Sequence, residues 1–175
     1  MFQILINSWI GLGVITFLTL LFISAPYGRH IRSGWGPLLS KRVGWIFMET
    51  PALYIMWLFY FFCADFTNIV LMIFLLIWSI HYTNRSIIWP FFIDKNGSMP
   101  LVVALLAFIF NIFNASFHGY WFFFMNNQYD VSWLLSSNFL FGLSIFILGM
   151  AINIHSDKIL FKISRDKKGY QIPYG

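Results

Sequence analysis

The chain has 175 residues, of which 59% are apolar, 22% aromatic and only 10% charged, with a net charge of +5 and a mean hydropathy of +0.75. A soluble domain carries about 25% charged residues, and one aqueous core of this size could not bury so much apolar surface. An ordinary cytosolic domain, a disordered chain and a nucleic-acid binder are excluded; a polytopic membrane protein remains.

Long unbroken apolar runs favour an all-α bundle over a barrel, which needs short alternating strands. Five spans are expected in chain order. The first, Phe2–Ser24, carries no charge and has no basic leader, so it reads as a retained helix. The second runs over about Gly44–Cys63 and contains Glu49 and Pro51. The third starts near Phe66 and passes His81 and Tyr82 to about Phe92. The fourth covers about Pro100–Met125, and the fifth about Trp133–Ile154 with a continuation toward Ile163. Each is long enough for a helix to cross about 30 Å of hydrocarbon. The single cysteine, Cys63, forbids an internal disulfide and a cysteine metal cluster, and no His/Glu spacing suggests a metal site.

Charge then orients the spans. Arg29, Arg32, Lys41 and Arg42 occupy the first connection, Arg85 and Lys95 the third, and Lys158, Lys162, Arg165, Lys167 and Lys168 the tail. With five alternating spans, all 11 basic residues fall on one side. Basic residues mark the cytosolic face, so the N-terminus is expected outside and the tail in the cytosol. Membrane lipids are the expected surroundings: the endoplasmic reticulum for a eukaryotic chain, the inner membrane for a bacterial one.

Ionisable groups at membrane depth are costly and point to function. Glu49 lies about 7–8 Å along its helix from the cytosolic end at 1.5 Å per residue. Pro51 beside it removes a helix hydrogen bond. His81, Tyr82, Asn84 and Arg85 close the third span. Asn153, His155, Ser156 and Asp157 close the fifth. Three helices thus bring polar groups to one depth, which predicts a polar pocket open to the cytosol. A buried carboxyl kept in its acid form donates a hydrogen bond, so Glu49 and Tyr82 could both donate to one carbonyl oxygen. Arg85 suits a phosphate or a carboxylate. The plainer alternatives are a structural Glu49–Arg85 ion pair and an interfacial Tyr82. Asn111 and Asn114 are expected to bond across helices, and His118 to lie away from the cluster.

The run Gly149-Met-Ala-Ile-Asn-Ile-His-Ser-Asp157, with Ile159-Leu160 and Gly169-Tyr-Gln-Ile-Pro173, closely resembles the steroid 5α-reductase family. So do His81-Tyr-Thr-Asn-Arg85, Trp45-Ile-Phe-Met-Glu-Thr-Pro51 and Tyr27-Gly-Arg29, all in family order. The resemblance implies a multi-pass membrane oxidoreductase that uses NADPH to reduce the Δ4 double bond of a 3-ketosteroid drawn from the bilayer. It implies that Glu49 and Tyr82 bind the 3-keto oxygen, that Trp45 and Phe110 line the steroid cavity, and that Arg85, Asn153, Asp157 and Tyr170 lie on the NADPH side. A monomer is expected, with no metal and no nucleic acid. Met48 stands where mammalian members carry Gln, and Gln171 where they carry Arg. The family continues past the Pro-x-Gly element with further helices, seven spans in all, whereas this chain stops at Gly175. The expectation is one transmembrane domain, 1–175, forming the N-terminal portion of that fold. The alternatives are reduction of a polyprenal-type or enoyl lipid, an isoprenylcysteine-type methyltransferase, and an inactive fragment or lipid-binding membrane protein.

Overall fold

The computed structural model describes residues 1–93, 97–125 and 128–165. Among these, five helical stretches are long and apolar enough to cross a membrane: Phe2–Phe22, Lys41–Cys63, Ile69–Phe92, Leu101–Phe124 and Ser137–Ile163. The all-α polytopic architecture expected from the sequence is therefore present. In order, α1 is Phe2–Phe22, α2 Lys41–Cys63, α3 Ile69–Thr83, α4 Trp89–Phe92, α5 Leu101–Gly119 and α6 Ser137–Arg165. A π-helical turn, Asn84–Ile88, joins α3 to α4, and a second, Tyr120–Phe124, extends α5.

Capping chemistry explains where boundaries differ from the expected spans. The second helix begins earlier because the Ser40 hydroxyl accepts from Val43 N at 3.3 Å. The third begins later because Asn68 caps it, Oδ1 accepting from Val70 N at 2.9 Å. Ahead of α6, residues Val131–Leu135 form a tighter 3-10 turn, and α6 then runs unbroken to Arg165.

The α2–α5 seam is the centre of the bundle. Ala52, Ala104 and Ala115 are fully buried, and small residues let membrane helices approach closely. At Gly119 the approach is closest: a Cβ there would meet Phe59 at 2.6 Å. Pro51 lies inside α2, and three backbone carbonyls near it, those of Ile46, Met48 and Ala52, accept side-chain hydrogen bonds. The Thr50 hydroxyl donates to the Ile46 carbonyl. Asn111 Nδ2 donates to Met48 O at 2.7 Å, and Trp78 Nε1 to Ala52 O at 2.8 Å. By contrast α1 buries no residue. It leans on α5 through rings, Trp9 against Phe110 at 5.3 Å and Phe2 against Tyr120 at 5.0 Å.

One end of the bundle is clasped. Strands β1 (Leu38–Ser40) and β2 (Ser98–Pro100) pair antiparallel, with Leu39 opposite Met99. The first N–H groups of α5, without intrahelical partners, donate to loop carbonyls: Leu101 N to Pro37 O at 2.9 Å and Val102 N to Trp35 O at 3.3 Å. Gly36, at φ +79° and with Val102 3.5 Å from its would-be Cβ, makes that loop's turn. Arg42 donates through Nε to Pro90 O and through Nη2 to Phe91 O, each at 2.8 Å, so a cation closes the carbonyl end of α4.

At the turn between α2 and α3, Asp65 Oδ1 accepts from Thr67 Oγ1 at 2.7 Å and Thr67 N at 2.9 Å. These two bonds, the hydroxyl's first, hold the Asp65 carboxyl below the usual carboxylate range. A lowered folded value stabilises the turn above the unfolded pKa, and that contribution disappears as pH falls through the folded one. Thr67→Val is expected to raise the Asp65 titration midpoint toward the ordinary range, read by NMR of the carboxyl carbon. Gly119→Val should cost about 1–3 kcal/mol through overpacking against Phe59, read as a lower thermal midpoint in detergent.

Candidate active site

The polar site is assembled where α2, α3, α5 and α6 converge. Arg85 stands on the π turn after α3, a wider turn than the α-helix and one that often marks functional sites. The Ser86 hydroxyl, itself buried, donates to Tyr82 O at 2.7 Å and ties this turn to the preceding one. Arg85 Nη1 donates to Asp157 Oδ2 at 3.1 Å and lies 3.4 Å from Asn153 Oδ1. Asn153 and Asp157 are four residues apart, hence neighbours on one face of α6. The guanidinium lies 4.4 Å above the Trp45 ring, a cation–π contact that holds its plane. Trp45 Nε1 in turn donates to the Tyr27 hydroxyl at 3.0 Å. Four separate sequence motifs are thus joined in one line of contacts: Tyr27, Trp45, Arg85, then Asn153 with Asp157.

Among the described residues Arg85 pairs with Asp157 and not with Glu49, so the structural Glu49–Arg85 ion pair is not formed. Glu49 instead meets α5, where Asn111 Nδ2 donates to Oε2 at 3.3 Å. Tyr82 lies close enough to Glu49, Arg85 and Asn114 to interact with each electrostatically. Its ring stacks on Trp78 at 4.7 Å. Glu49 and Tyr82 are therefore neighbours, with Asn111 and Asn114, three residues apart on α5, beside them.

A cavity of about 490 Å³ borders Tyr82 and His81, walled mainly by apolar groups of α3, α5 and α6 such as Phe74, Trp78, Phe146 and Met150. That volume is in the range of small-ligand pockets. Glu49 is not on its wall, so a group that met both Glu49 and Tyr82 would sit at the edge of this cavity. A second cavity, about 320 Å³, lies beside Asp157 and is lined by Asn84, Trp89, Phe92, Ile154 and Lys158.

Phe110 is elsewhere. Its ring is half exposed and stacks on Trp9 of α1, so it walls neither of these two cavities. Trp45 likewise sits beneath Arg85 and outside both linings. The pairwise contacts of an almost wholly apolar helix face decide such placements. Tyr170 and the Gly169–Pro173 run lie outside the described residues. His118, expected away from the cluster, is closer than that. Its Nδ1 is 2.8 Å from the Asn114 carbonyl and its ring is 5.0 Å from Trp78. Its spacing of four from Asn114 was the available signal. No group of three or more His, Cys, Asp or Glu that could hold a metal occurs among the described residues.

The fold and site define a class: a polytopic α-helical membrane protein with an ion-paired polar centre under one end of the bundle. A family profile described as 3-oxo-5-alpha-steroid 4-dehydrogenase matches residues 97–175. The chain is 35% identical to Steroid 5-alpha-reductase DET2 of Arabidopsis thaliana, over 99% of this chain and 69% of that protein. It is 35% identical to 3-oxo-5-alpha-steroid 4-dehydrogenase 1 of Bos taurus, over 94% of this chain and 66% of that protein. For Steroid 5-alpha-reductase DET2 of Gossypium hirsutum the identity is 33%, over 91% and 64%. The chain belongs to the steroid 5-alpha-reductase family and spans about two thirds of the length of these curated relatives.

Arg85 is the anchor of α6, which otherwise touches its neighbours through scattered rings such as Phe92–Phe161 and His81–Phe146. Lysine has neither the planar fork nor the stacking face. Arg85→Lys is expected to loosen the α6 turn from Asn153 to Asp157, measured as faster amide hydrogen exchange there than in α2.

Proposed function

We propose that this chain serves an NADPH-dependent reductase that saturates the Δ4 double bond of a 3-oxo-steroid or a similar lipid enone, in the endoplasmic reticulum of a eukaryote or the inner membrane of a bacterium. The observation that carries this reading is the meeting of Glu49 and Tyr82, from α2 and α3, beside the Arg85–Asn153–Asp157 group. Family membership supports it. The enone carbonyl is received between the Glu49 carboxyl, in its acid form, and the Tyr82 hydroxyl. Both donate hydrogen bonds to its oxygen. As the β-carbon gains a hydride, negative charge grows on that oxygen, and two fixed donors in a dry site stabilise it more than they stabilise the ground state. A proton then reaches the α-carbon, and the double bond becomes a single bond.

The residues on the α6 side suit a nicotinamide dinucleotide. Asp157 and Asn153 offer oxygen acceptors for a carboxamide, and Arg85 Nε and Nη2 have no partner among the described residues. Lys158 and the rings of Trp89 and Phe92 wall the adjacent cavity, which has room for part of such a cofactor. A nicotinamide dinucleotide bound there would supply the hydride. Arg85, kept from turning away by the Trp45 ring, would offer its N–H groups to oxygen acceptors of that cofactor.

The test is product mass spectrometry on membranes given NADPH and a Δ4-3-ketosteroid. Tyr82→Phe is expected to lower turnover about 10²–10³-fold, the usual effect of losing one donor at a developing oxyanion. Glu49→Gln, which keeps a donor, should be milder than Glu49→Leu. Unchanged reduction in both Tyr82→Phe and Glu49→Leu would sink the mechanism.

A further inference from the structure

Asn111 is one of two buried polar side chains among the described residues, 5% exposed at the middle of α5. An apolar helix would place Leu or Phe there, since an amide in hydrocarbon costs free energy unless its hydrogens are used. Both are used on α2. One N–H goes to Met48 O at 2.7 Å and the other to Glu49 Oε2 at 3.3 Å. A backbone carbonyl can only accept, so the Met48 bond fixes which end of the amide faces α2. With Nδ2 anchored there, the direction of its second hydrogen is also set. It points at one oxygen of the catalytic carboxyl and not the other. One helical turn on, Asn114 lies beside Tyr82. At a spacing of three the two amides share a face of α5.

We infer that Asn111 is a positioning residue that assigns the proton of the carboxyl donor at the carbonyl site. Asn111 makes Glu49 Oε2 an acceptor, so in the acid form the proton resides on Oε1, the oxygen left to face the substrate. Asn111 does not touch the enone. It removes a competing orientation, in which the carboxyl would spend its hydrogen on the protein. The inference rests on the proposed roles of Glu49 and Tyr82, and it adds a requirement on α5 that those roles alone do not contain.

Two variants separate geometry from packing. Asn111→Asp keeps the shape and replaces the donor, and Asn111→Leu removes both bonds while remaining apolar. In the full chain in membranes, each is expected to lower kcat about 10–100-fold, the scale of a misaligned catalytic group, with KM for the enone changed less than about threefold. Infrared difference spectroscopy gives a readout independent of turnover. A protonated-carboxyl band that Glu49→Gln abolishes should move to higher frequency in Asn111→Leu, because its carbonyl oxygen has lost a hydrogen-bond donor. Asn114→Leu, which leaves both Asn111 bonds intact, should leave that band in place. The inference is overturned if the band is absent in the parent, if Asn111→Leu does not move it, or if kcat stays at the parent value. A loss of folded protein that parallels the loss of kcat would also overturn it, in favour of packing alone. If instead Glu49→Leu and Tyr82→Phe retain full activity, the proposed function fails first, and the asparagine variants are then silent in kcat for that reason.

Discussion

In hydrocarbon a polar atom has no water to fall back on, and every feature of the site follows from where such atoms find partners. The turn of α2 around Pro51 is the most demanding case. Proline removes one backbone donor, and carbonyls of the surrounding turns also accept from side chains: Ile46 O from Thr50 of α2 itself, Met48 O from Asn111 of α5 and Ala52 O from Trp78 of α3. The last two contacts bind α2 to the helices that carry Asn114 and Tyr82.

Charge is handled by the same rule at the other side of the site. Arg85 does not neutralise Glu49; it is partnered by Asp157 and Asn153 and covered by Trp45. The two acidic groups are thereby separated. Asp157 is paired with a cation at the α6 side, and Glu49 is bonded by a neutral amide. A direct Glu49–Arg85 pair would have held Glu49 as a carboxylate.

Much of this was legible in the residues. The number of spans, their approximate limits and the gathering of polar groups at one depth follow from hydropathy and from where Glu49, Tyr82, Arg85, Asn153 and Asp157 fall along their helices. Asn111 is legible as a cross-helix bond, but which residues it meets is not. Phe110, expected along the steroid cavity, packs on Trp9 and walls neither of the cavities beside Tyr82 and Asp157. What the sequence leaves open has one origin. On a helix that is apolar all round, hydrophobic periodicity does not say which face turns inward, so depth can be read and azimuth cannot.

The sequence by itself therefore determined the class of solvent, the count of crossings, the basic end and the depth of each ionisable group, because these depend on residue type and distance along one chain. Only the tertiary structure decided the partners: Asn111 with Glu49, Arg85 with Asp157, and Gly119 pressed on Phe59. Those depend on the rotation and separation of helices that no single segment encodes. They are settled where close packing of small residues and the satisfaction of buried hydrogen bonds select the same arrangement.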